Sequence, residues 1–227
     1  VAIAAGMASA TLFSWLVERV FLRPRESWPI PSLILLTLGL AFLARGAMLV
    51  IAGADPLSFP RLVTGRPIRI AGGAITPQGI ALIATSVVAA VSVGIFLART
   101  LLGRRLRATA EHPEAAQLMG VNIYGAKALA FVLAGALGGL SAVMLVPLVA
   151  VDFQAGLGMT LRGFIAAALA GMSPIGSMIA GLALGLFESF VTSYLGALAS
   201  DPIVFLILIG VAVWRSRTIR FGGSARA

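Results

Sequence analysis

Apolar residues run along this chain in long blocks separated by short polar breaks. The blocks lie at residues 2–17, 32–52, 77–98, 128–151, 159–172, 177–195 and 203–214. A helix rises about 1.5 Å per residue, so about 20 apolar residues cross a hydrocarbon layer of about 30 Å. Ten-residue segments of alternating hydrophobicity, the mark of a membrane barrel, are absent. The pattern predicts an all-α fold: a polytopic transmembrane helical bundle of about seven hydrophobic segments, read as a single membrane domain over 1–227. The breaks have their own character. Residues 18–31 carry three prolines and Trp28 among charges and predict an interfacial loop, with Trp15 and Trp28 at headgroup level. In 53–76, the alternation Pro67-Ile68-Arg69-Ile70 before Gly72-Gly73 predicts a small extended hairpin on the membrane surface. The fifth block is too short to cross alone and ends in GMSPIG (171–176), with Pro174. Short Gly/Pro-interrupted segments point to a transport pathway, or more plainly to a tight helical hairpin. Gly135-x3-Gly139 and Gly181-x3-Gly185 predict close helix packing.

Composition agrees. Of 227 residues, 59% are hydrophobic and only 11% charged, against about 25% charged in a soluble domain, and the mean hydropathy is +1.04. The net charge is +9, but the basic residues, 16 of 17 of them Arg, sit at the ends of apolar blocks rather than among exposed aromatics. They therefore set orientation and do not bind nucleic acid. The chain has no Cys and one His, His112, so a disulfide framework or a zinc site is not expected. The opening apolar run has neither a basic n-region nor a cleavage site, so no signal peptide is read there. No phosphate-binding loop exists, the sole lysine being Lys127, and no hydrolase motif is present. The chain is expected to be no enzyme and to bind no cofactor. Energy for directed transport would have to arrive through another chain.

If every block crosses once, residues 18–31, 99–127 and 215–227 share one side and hold 12 of the 17 basic residues. The opposite breaks hold only Arg61, Arg66 and Arg69, while Arg45 and Arg162 lie within blocks. The positive-inside rule then places 99–127 and the C-terminus in the cytoplasm. Three charges inside blocks need a role, because intramembrane charges are costly. Arg45 is expected to reach bundle carbonyls or the interface, or else to contact substrate. Arg162 and Glu188 fall at similar depth if the fifth and sixth blocks form a hairpin. They form a structural ion pair, or contact a zwitterionic substrate, or Glu188 is protonated and bonded to a neighbouring helix.

The longest break, 99–127, carries Arg99, Arg104, Arg105 and Arg107 and then HPEAAQLMGV (112–121). Glu114-Ala115-Ala116, three residues, then Gly120 resembles the EAA loop of ABC importer permeases. Its short helix would offer a knob of Ala115, Ala116, Leu118 and Met119, with Gly120 turning the chain out. VERVFLRP (17–24), LLTLGLAFLARG (35–46), GADPLSFP (53–60), LGRRLRATAEHPEAAQLMGVN (102–122) and LRGFIAAALAGMSPIGSMIAGLALGLFES (161–189) widen that resemblance to nearly the whole chain. Together they resemble the branched-chain amino acid permease family, and most its LivH-type subunit. Family members of this type begin with further spans and an Asn-Phe-Ala-His-Gly stretch. The resemblance thus implies spans upstream of Val1, and it leads one to expect Lys where Arg162 stands.

The resemblance implies a permease subunit of an ATP-driven importer for branched-chain or hydrophobic amino acids, multi-pass in a bacterial-type inner membrane. Its partners would be two ABC ATPase subunits that bind the ATP, a second related permease, a periplasmic or extracellular substrate-binding protein, and the lipid bilayer. The coupling residues would be Pro113, Glu114, Ala115, Ala116, Leu118 and Gly120, and the candidate translocation pathway Arg162, Glu188 and Pro174. The alternatives are a permease for urea, short amides or sugars, a secondary transporter or channel of another class, and a structural membrane protein.

Overall fold

The computed structural model describes residues 2–25, 28–56, 59–60, 62–63, 65, 68–70, 73–151, 153–196, 206 and 210. The protein is an all-α, polytopic membrane protein. Its helices are α1 (Ala2–Leu16), α2 (Ile30–Ala52), α3 (Pro77–Arg99), α4 (Leu101–Glu111), α5 (Pro113–Leu118), α6 (Ile123–Leu145), α7 (Ala155–Leu169) and α8 (Pro174–Leu195). Of these, α2, α3, α6 and α8 are long and apolar enough to cross a membrane. The block expected at 203–214 lies outside the described residues, apart from Leu206 and Gly210, which are helical.

The chain forms two compact units, residues 1–155 and 156–227. In the first, α1 and α6 are the closest-packed pair. A Cβ built on Gly135 would lie 2.6 Å from Ser14 Cβ, and one on Gly139 would lie 2.8 Å from Ala10 Cβ and 2.9 Å from Met7 Cα. Only glycine lets the backbones approach so closely, as the Gly-x3-Gly spacing predicts. Close approach also lets Ser14 Oγ donate 2.7 Å to the Phe131 carbonyl across the interface. The register, with Gly6 beside Val143 and Ser14 beside Gly135, makes the two helices antiparallel.

The expected loop after the first helix is a correction. The backbone stays helical, as a π-helix over Val17–Leu22 and a 3-10 turn over Arg23–Arg25. The Arg23 N–H bonds Glu18 O, five residues back. Widening and then tightening the helix accommodates Pro24, which has no N–H to give. Glu18, expected in an interfacial loop, is instead buried, and its Oε2 has no hydrogen-bond partner. Arg19 lies over Trp15 at 5.9 Å and Arg25 over Trp28 at 5.5 Å, so the two tryptophans keep company with cations. Arg45 finds its partner in the Phe42 ring, 5.7 Å away, rather than in carbonyls.

The expected hairpin forms. Ile68–Ile70 (β1) pairs antiparallel with Gly73–Ile75 (β2), Ile68 opposite Ile75. Thr76 caps α3 by accepting from Gly79 N, with Pro77 in the first turn. Gln78, fully buried, accepts from Val63 N at 3.0 Å and donates to Met144 O at 3.0 Å. It thereby links Val63 to the end of α6 and satisfies one of that helix's terminal carbonyls.

Candidate functional site

Two places hold the residues singled out by sequence. The first is 99–122, where the structure departs from a simple polar break. Thr100 ends α3 and starts α4: its Oγ1 donates to Phe96 O at 2.7 Å and accepts from Gly103 N at 2.9 Å. A Cβ at Gly103 would collide with the Phe96 carbonyl and the Leu97 backbone. Glycine there permits the sharp fold of α4 against α3 and α6. The arginine run is therefore helical, with Arg104, Arg105 and Arg107 exposed on α4. Sequence reasoning missed this helix because charge density masked its capping threonine and buried glycine.

Pro113 opens α5, and Glu114 sits in its first turn, where the partial positive charge of the helix N-terminus favours an anion. The helix ends in a Schellman turn. Val121 N bonds Ala116 O, Gly120 N bonds Gln117 O, and Gly120 takes φ +79°. Gly120 turns the chain as the sequence suggests. The turn decides which residues are available to a partner. Ala116 is buried, so it holds the helix onto the protein, whereas Ala115 is exposed. Leu118 and Met119 stand 89% and 84% exposed. A short helix thus presents two large apolar side chains beside an arginine-rich surface.

Placement of the charges follows from helix direction. Arg23 lies 5.8 Å over Tyr124, at the start of α6. The arginines after α1 and the segment leading into α6 therefore share one end of the first unit. Val63, Gln78 and Met144 mark the other end.

The second place is the α7/α8 hairpin of the second unit. Its core is Ile165 against Leu184, with Leu169 beside them, and Gly181 faces Ala166. The turn between the helices is a second Schellman motif: Met172 N bonds Ala167 O and Gly171 N bonds Ala168 O. Gly171 and Met172 both take positive φ, 67° and 64°. Pro174 then starts α8 after Ser173. Arg162 Nη2 and Glu188 Oε1 are 2.8 Å apart, with side chains 40% and 21% exposed. The pairing expected from the hairpin register is present. Pro174 is not part of it, lying 14 residues or about 21 Å down α8 from Glu188. Among the described residues no cluster of three or more His, Cys, Asp or Glu could hold a metal.

Residues 1–213 match the model of the family described as branched-chain amino acid transport system / permease component. The chain is 31% identical over 212 residues to the high-affinity branched-chain amino acid transport system permease protein LivH of Escherichia coli (strain K12), covering 88% of this chain and 67% of that protein. It is 28% identical over 224 residues to the corresponding permease BraD of Pseudomonas aeruginosa, covering 94% and 72%. Over 107 residues it is 34% identical to the nucleoside ABC transporter permease protein NupC of Lactococcus lactis subsp. cremoris, covering 46% and 33%. No solved structure matches the chain.

Proposed function

The chain belongs to the branched-chain amino acid transport system permease family, and we propose that it is the membrane subunit through which an ATP-driven importer moves branched-chain or other hydrophobic amino acids. The permease forms the route and performs no covalent chemistry. ATP is bound by partner ATPases. Closure of the ATPase dimer moves α5, and the motion passes to α3 and α6 as a rigid-body shift, because Thr100, Gly103 and buried Ala116 tie α4 and α5 to those helices. The basic end, with α4 and α5, faces the cytoplasm in this reading, supported by the charge count and by Arg23 lying on Tyr124. A second related permease and an external binding protein complete the assembly.

The observation that carries the reading is the exposure of Leu118 and Met119 on a helix otherwise anchored by Ala116, in a chain of this family. A docking knob has to be rigidly based and apolar at its tip, since interface energy concentrates in a few desolvated side chains. The test is co-purification with the ABC ATPase subunits of the importer. Leu118→Glu/Met119→Glu is expected to abolish capture while leaving membrane abundance unchanged; undiminished capture would remove α5 from the contact. Ala116→Arg is a poorer test, because burial at 116 makes it a folding variant.

A second cargo has specific support. The relatives over about half of the chain include permeases named for nucleosides and guanosine. Uptake of leucine and of guanosine, measured side by side, separates the two.

A further inference from the structure

Arg162 and Glu188 are placed in a way that a helix-joining role does not require. Arg162 lies seven residues after the start of α7, and Glu188 seven before the end of α8. Both therefore sit about 10 Å in from the same end of the hairpin. Inserting a charged residue at a helix centre costs about 2.5–3.5 kcal/mol, and such residues face a bundle interior or a water-filled cavity. This pair is nevertheless open, 40% and 21% exposed, and it flanks rather than fills the apolar contact of Ile165 with Leu184. One turn from each charge is a glycine, Gly158 before Arg162 and Gly185 before Glu188. A Cβ built on either would meet nothing within 4 Å. The two charges thus lie beside exposed stretches of helix backbone that carry no side chain.

Resting on the permease reading for its cargo, we propose that Arg162 and Glu188 are a zwitterion-matching site on the translocation route. An α-amino acid inserts between them, its carboxylate taking the Arg162 guanidinium and its ammonium the Glu188 carboxylate, while its side chain lies along the exposed backbone at Gly158 and Gly185. On release the two protein charges pair again. No charge is left without a counter-charge at any stage, which is how a low-dielectric route can pass a doubly charged solute. An uncharged solute cannot replace the ion pair with anything equivalent, so the site selects for amino acids over neutral cargo. In the alternating-crossing topology this end of the hairpin is the outer one.

The test uses the assembled transporter with its ATPases and binding protein, reconstituted in vesicles, and follows radiolabelled leucine. Arg162→Gln, Glu188→Gln and the double Arg162→Gln/Glu188→Gln are compared with the parent. The double keeps two side chains able to hydrogen-bond each other, and it guards against a single variant failing only because a lone charge is left in the bundle. The expected result is a loss of uptake of about tenfold or more in all three, with the double assembled with its ATPases at the parental level. Parental uptake by the neutral double would overturn the proposal and leave the pair as a helix tie. Absence of ATP-dependent leucine uptake by the parent would instead refute the permease reading, and it is seen before any variant is made.

Discussion

Gln78→Leu tests the joint between the segment at Val63 and the helices. The buried amide makes two bonds, accepting from Val63 N–H and donating to the Met144 carbonyl. Leucine has similar volume and makes neither. Met144 is buried, so its carbonyl loses its partner near the C-terminus of α6 without gaining water. Val63 is 40% exposed, and water can in part replace its bond. An unpaired buried group costs about 1–3 kcal/mol. Two such groups, the second discounted for hydration, give a loss of about 2–4 kcal/mol. Hydrogen–deuterium exchange on the detergent-solubilised protein resolves where the loss falls. Losing about 1–2 kcal/mol of local protection should speed exchange at Val63 by about 5- to 30-fold. Exchange in α4, which the bridge does not touch, should be unchanged. Gln78→Glu keeps the acceptor and loses the donor, so Val63 should stay protected while the α6 end loosens. Equal exchange around residues 62–65 in the parent and Gln78→Leu would refute the bridge and the magnitude together.

The remaining predictions concern single side chains. Gly139→Leu places atoms where Ala10 and Met7 already lie, so α1 and α6 must separate. Overpacking of this kind costs about 1–3 kcal/mol, and a lower unfolding temperature with faster proteolysis of α1 is the expected result. Gly120→Ala puts a Cβ on a left-handed residue at φ +79°, a cost of about 1–2 kcal/mol. It should fray α5 and weaken ATPase capture several-fold, and unchanged capture would show that the turn is dispensable. The double Leu118→Glu/Met119→Glu should lose capture outright without loss of folding, as measured by co-purification against total membrane protein.

Much of this fold is legible in hydropathy because membrane helices announce themselves by apolar length. The α2, α3, α6 and α8 helices fall where the blocks predict, with ends displaced by a few residues. The start of α6 moves from 128 to Ile123 because Asn122 caps it by accepting from Gly125 N. A short polar first turn does not stop a capped helix. Likewise α7 begins at Ala155, ahead of the expected 159. The hairpin is legible from Ile68-Arg69-Ile70 because alternation is a local signal, as is the turn at Gly120. What fails are inferences that a charge or a proline ends a helix. Pro24 sits in a π-to-3-10 transition that needs no N–H from it, and α4 stays helical with four charged residues among its eleven. Burial of Gln78 and Glu18 is beyond the local sequence, because each is enclosed by packing between segments distant in the chain. The Arg162–Glu188 pair is the exception among long-range contacts. Its two residues are joined by one hairpin, so counting residues from the turn suffices to bring them together.

The most direct measurement of the central claim is leucine uptake by vesicles containing the protein with the proposed second permease and ATPases, with binding protein and leucine outside and ATP inside. The account predicts accumulation that requires ATP, the ATPases and the binding protein, and that persists when ionophores collapse all ion gradients. Accumulation that survives removal of ATP and the ATPases but disappears with the ion gradient would contradict it.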